Sequence, residues 1–125
     1  GPVLELTNDL IVVQKGKEML AGGKPADAVA ALAEAVRADP RSADAHFQHG
    51  RALRAAGDVF GAMTAFEHAA EANPGHLAAL RALAAVYEES GFRRKAAEML
   101  ERALPAARDD AARVAIRKDL MRLIA

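Results

Sequence analysis

The chain of 125 residues has no cysteine, which excludes disulfides, thiol catalysis and cysteine-held metal sites and leaves the redox compartment open. Aromatic residues make up only 4%, and no window shows the β-branched alternation of strands, so no sheet is expected. No stretch approaches the roughly 18 uncharged apolar residues of a membrane span, and no secretory signal is visible. Basic and acidic residues number 17 each, for a formal net charge of +0. Attraction of the whole molecule to nucleic acid or to an acidic membrane is therefore not indicated. The chain opens Gly1-Pro2 without a methionine, as after removal of a fusion tag, and reads as an excised piece with a cytoplasmic location as its default expectation.

What the chain has is a period. Gly23, Gly57 and Gly91 stand 34 residues apart, and Ala28, Ala62 and Ala96, then Leu32, Phe66 and Leu100, then Ala35, Ala69 and Ala103 keep the same step. Pro40 and Pro74 repeat at that interval, as do Gly16 and Gly50. Such a period signals a stacked array in which each unit buries its apolar face against its neighbours. With 52% hydrophobic residues, many of them alanine, the expectation is all-α, with a core running as a seam along the stack.

Copies run over 9–42, 43–76 and 77–110, after a tag scar and lead-in at 1–8, and each divides at its middle glycine into two helices. Pro25 suits a first helical turn, where its missing N–H costs nothing. Ser42 and Asp58 are placed as N-caps, and Asn73-Pro74-Gly75 breaks the chain before the fifth helix. The three repeat glycines supply the left-handed conformation that ends the first helix of each pair.

These units resemble the tetratricopeptide repeat. The second copy supplies the pattern as His46, His49, Gly50, Leu53, Gly57, Ala62, Phe66, Ala69 and Pro74. The first gives Val12, Lys15, Gly16, Met19, Gly23, Ala28, Leu32, Ala35 and Pro40; the third gives Leu80, Leu83, Ala84, Tyr87, Gly91, Ala96, Leu100 and Ala103. Lys15 and His49 replace the usual leucine, and Arg108 stands where a third proline would fall, with Pro105 three residues earlier. The resemblance implies a right-handed superhelical stack of about seven helices. Ala111–Ala125 would close it as an amphipathic capping helix, with Asp109 or Asp110 as its N-cap.

The resemblance further implies a concave face lined by the first helix of each pair. The positions so assigned include Leu10, Val13, Lys17 and Leu20, then Phe47, Arg51 and Arg54, then Arg81, Glu88 and Glu89, with Gln48 beside them. An apolar anchor flanked by arginines fits a peptide with an apolar residue and acidic neighbours. The expected partner-binding residues are Val13, Lys17, Leu20, Phe47, Gln48, Arg51, Arg54, Arg81 and Glu88. Relatives that grip the acidic tails of heat-shock chaperones use a clamp of lysine, asparagine and arginine. Val13, Lys17, Gln48, Ala78 and Ala82 occupy its positions here, so such tails are not the expected ligand.

The remaining motifs carry less. His46 and His49 lie three apart on one helix, but a metal site needs a third or fourth ligand, and packed histidines are the reading, with no metal or cofactor expected. Arg93-Arg94-Lys95 opens the last paired helix against its dipole, which invites an acidic ligand or a solvated helix start. Gly22-Gly23-Lys24 lacks the surroundings of a phosphate-binding loop, and no acid–base pairing is evident, so no enzyme activity is expected. The Ala- and Arg-rich helices point to a GC-rich bacterial genome. The sequence reads as an adaptor or scaffold module in a signalling, motility, secretion or envelope assembly. The alternatives are self-association through the stack ends or the Val3–Leu6 lead-in, and a regulatory appendage of an enzyme.

Overall fold

A computed structural model of the protein describes the backbone from Pro2 onward and the side chains from Leu10 onward. Gly1 and the side chains of the Val3–Leu6 lead-in lie outside the described residues. Seven α-helices follow one another: α1 (Pro2–Ala21), α2 (Pro25–Ala38), α3 (Ala43–Ala55), α4 (Val59–Ala72), α5 (Leu77–Glu89), α6 (Arg93–Ala103) and α7 (Asp110–Ile124). A short 3-10 turn, Leu104–Ala106, precedes α7, and the described residues contain no strand. The backbone of 2–8 continues α1.

Local chemistry sets the helix ends. Gly23, Gly57 and Gly91 adopt φ of 75°, 92° and 88°, a left-handed conformation that reverses the chain between α1 and α2, α3 and α4, and α5 and α6. The Ser42 hydroxyl accepts from the Ala45 amide at 3.1 Å and Asp58 from Gly61 at 2.8 Å, satisfying amides that the first turn leaves free. Asp109, rather than Asp110, caps α7 by accepting from Ala112 at 2.7 Å. Pro105 enters the 3-10 turn, which ends the third pair without the Pro40 and Pro74 pattern.

Each helix packs on the next in chain order, and α1 also touches α3. Small residues let the paired helices close: a Cβ on Gly16 would stand 2.4 Å from Leu32 Cγ, and one on Gly50 would stand 2.5 Å from Phe66 Cε1. In the third pair Ala84 and Leu100, both buried, occupy the same columns, so these helices are spaced to admit a methyl. The largest core cluster runs from Ala62 to Leu123 and includes Phe66, Leu80, Leu83, Tyr87 and Ile116. Two smaller clusters, Val13–Ala35–Ala45 and Ala28–Leu32–Ala52, hold α1, α2 and α3 together. Full burial of a side chain such as Phe66 stabilises the seam by roughly 2–3 kcal/mol.

Candidate partner-binding site

Side chains from four helices meet in one hollow. Leu20 of α1, Phe47, Arg51, Arg54 and Ala55 of α3, Phe66 of α4 and Ala82 of α5 enclose about 560 Å³. Its floor is apolar and its two cations are exposed. Phe47 is half-buried rather than free: its ring centroid lies 5.8 Å from that of Phe66 and 5.1 Å from that of His76. His76 is the N-cap of α5, accepting from the Ala79 amide at 3.0 Å through Nδ1, and so sets the wall against which Phe47 rests.

The nine sequence-assigned residues separate into groups. Leu20, Phe47, Arg51 and Arg54 share the hollow just described. Arg81 and Glu88 line a second hollow of about 360 Å³, between α5 and α7, with Asp119 and Arg122. Lys17 is exposed on α1 and lines neither. Val13 is buried with Ala35 and Ala45, because the N-terminal turn of α3 covers its column much as His76 at the start of α5 partly covers Phe47. Gln48 is buried as well; its amide reaches Asp44 at 3.4 Å, and its Oε1 accepts from Arg51 Nη1 at 2.7 Å. Neither Val13 nor Gln48 offers a free surface to a partner, and Gln48 acts instead to orient Arg51.

The charges of this face are partly answered within the chain. Arg54 pairs with Glu89 of α5, and Arg122 of α7 pairs with Glu88. The Arg122 hydrogen bond holds the Glu88 carboxyl below its usual range, and Glu88 in turn raises Arg122. Both glutamates stand at the last turn of α5, where negative charge opposes the helix dipole, and each is met by an arginine from a different neighbouring helix. Sequence reasoning missed these pairs. The signal was available, since partners on consecutive first helices lie about one repeat apart in the sequence.

Of the basic cluster at 93–95, Arg93 and Lys95 are engaged within the chain, while Arg94 is exposed. Arg93 donates from Nε and Nη2 to the Leu123 carbonyl at 3.1 and 2.8 Å, and from Nη2 to that of Arg122 at 3.0 Å, closing the last turn of α7. Lys95 Nζ lies 5.7 Å from the Tyr87 ring centroid and 5.6 Å from that of Phe92. His46 is likewise engaged: it is buried, with Nε2 2.7 Å from the Pro40 carbonyl oxygen and its ring edge-on to that of the exposed His68. No cluster of three metal-ligating side chains occurs among the described residues. Nor is any described helix long and apolar enough to cross a membrane.

No curated protein matches the chain. Among solved structures, the first TPR of Spaghetti (RPAP3) bound to the HSP90 peptide SRMEEVD superposes with a TM-score of 0.81 at 19% identity, covering 94% of this chain and 96% of that one. The TPR2B domain of yeast Sti1 in complex with pHsp70 gives 0.85 at 18% identity over 94% and 97% of the two chains. YrrB, a TPR protein with an unusual peptide-binding site, gives 0.76 at 26% identity over 88% of this chain and 57% of its own. The tetratricopeptide repeat family model matches residues 53–120, more than half of the chain. With its paired helices and its glycine turns, the chain belongs to the tetratricopeptide repeat family, a fold that presents extended surfaces to other proteins.

Proposed function

We propose that the chain is a recruiting module that binds an extended segment of a partner protein in the hollow between α1, α3 and α5. The observation that carries this reading is the joining of an apolar floor of Leu20, Phe47 and Phe66 with two exposed guanidinium groups, Arg51 and Arg54. Aromatic anchors and arginine forks are the groups that most often supply binding energy at protein interfaces. The ligand is a segment with a bulky apolar residue beside acidic ones. Its setting is a bacterial multiprotein assembly, for which the support is the Ala- and Arg-rich composition.

Of the five chaperone-clamp positions only Lys17 is cationic, which favours an internal acidic segment over a free C-terminal carboxylate. The HSP90 peptide bound by the first TPR of RPAP3 nonetheless belongs in the test, because SRMEEVD combines acidic and apolar residues. A random-peptide display library is selected on the wild-type chain and on an R51E/R54E variant of unchanged helicity, with SRMEEVD as a defined competitor. Acidic–apolar peptides enriched on the wild type alone support the reading. Equal enrichment on both baits, or none, overturns it, and effective competition by SRMEEVD reassigns the ligand to chaperone tails.

A second reading is self-association, favoured by the exposed Leu10 and Ile11 of α1 and Val114, Met121 and Ile124 of α7. Solution mass that rises with protein concentration, and falls back in a Met121→Glu variant, would support it.

A further inference from the structure

The two arginines of the hollow are held differently. Arg51 is oriented by a neutral acceptor, Gln48 Oε1, and among the described residues no carboxylate pairs with it. Its charge is placed without being cancelled. Arg54, three residues along the same face of α3, is paired with Glu89 of α5 while also lining the hollow. The pair is about half exposed at both ends, with side-chain exposures of 40% and 45%, so it is weak enough to exchange.

Residues three apart on a helix have Cβ atoms about 5–6 Å apart, and alternate residues of an extended peptide lie about 7 Å apart on one side. A ligand with acidic residues two positions apart therefore reaches both guanidinium groups at once. Resting on the binding reading above, we propose that Glu89 is a built-in competitor for the ligand: it neutralises Arg54 in the empty groove and is displaced by the second of two carboxylates in the bound segment. The first carboxylate pairs with Arg51 without displacing anything. The partner class is thus a diacidic segment next to an apolar anchor. Glu89 lowers its affinity and keeps the groove from retaining acidic chains at random.

The test uses a labelled, end-blocked peptide obtained by selection on the wild-type chain, together with a copy in which its second acidic residue is replaced by the amide. Fluorescence anisotropy is measured on the wild type and on Glu89→Gln and Arg54→Gln variants, each checked for unchanged helicity. Glu89→Gln is expected to tighten the diacidic peptide by roughly two- to fivefold, the scale of one exposed ion pair, and to leave the mono-acidic copy unchanged. Arg54→Gln should bring the diacidic peptide down to the affinity of the mono-acidic one. If Glu89→Gln leaves the diacidic peptide unchanged, or tightens both peptides alike, the competitor role is overturned while the groove reading stands. If no selected peptide depends on Arg51, both fall together.

Discussion

Tyr87 of α5 donates its hydroxyl proton to Glu67 Oε2 of α4 at 2.5 Å, joining the second helix pair to the third. Burial first, and then Glu67, hold the phenol well above its ordinary 10.0. Tyr87→Phe keeps the packed ring but removes the donor. A hydrogen bond to a charged acceptor is worth about 1.5–3 kcal/mol, and Glu67 is only half-buried and regains water, so a loss of about 1 kcal/mol is expected. Thermal unfolding should fall by roughly 3–5 °C. Because the folded state holds the proton more tightly, the wild type should also lose stability as pH rises past 10.0, and the variant should lack that slope.

Gly50→Ala and Gly57→Ala should both destabilise, for different reasons. At Gly50 the added methyl meets the Phe66 ring, an overpacking cost of roughly 1–3 kcal/mol against a helix-propensity gain of at most about 1. At Gly57 space is open, but φ is 92°, and a Cβ in a left-handed conformation costs about 1–2 kcal/mol. Combining each with Phe66→Leu separates the causes by chemical denaturation. The smaller side chain should relieve Gly50→Ala and add its full cost to Gly57→Ala.

His49 is held below its ordinary 6.5, first by burial and then by the neighbouring His46. The unfolded chain therefore binds this proton more readily than the folded one, and stability is complete above 6.5 and declines as pH falls below it. Melting temperatures between pH 8 and 5 should show that decline. His49→Gln should flatten it, and an unaltered slope in the variant would assign the effect elsewhere.

Arg93→Met should loosen α7 selectively. The stem of the side chain is kept while the hydrogen bonds to the Arg122 and Leu123 carbonyls are lost. The expected cost is roughly 1 kcal/mol, after a few tenths are recovered by removing a cation from the start of α6. Hydrogen exchange resolved by peptide should quicken over 116–124 and stay unchanged over α3 and α4.

The helix pairs, the turn glycines and the Ser42 and Asp58 caps were legible in the sequence because each depends on residues within one turn of each other. The family resemblance set Phe47, Arg51, Arg54 and Arg81 together at the middle of one face with Leu20 towards its N-terminal end, but Leu20 joins the first three in one hollow and Arg81 lines another. What the columns concealed were the contacts between units. Val13 stands in an inner-face column and is buried by the turn of the next first helix. Arg54 reads as a free cation until Glu89 is placed beside it, and Arg93 as a dipole conflict until the end of α7 meets it. His76 could have been read as a cap, since it occupies the same repeat column as Ser42, but histidine is an unusual residue for that task.

The pairs Arg54–Glu89 and Arg122–Glu88 make the units unlike one another where their backbones are alike. Excising the whole of residues 43–76 keeps the period, yet it would bring Leu20 into the column opposite Glu89. Duplicating the same unit would stack Arg54 upon a second Arg54 with no carboxylate between them. The modules are therefore not interchangeable, and their order along the array is written in charge.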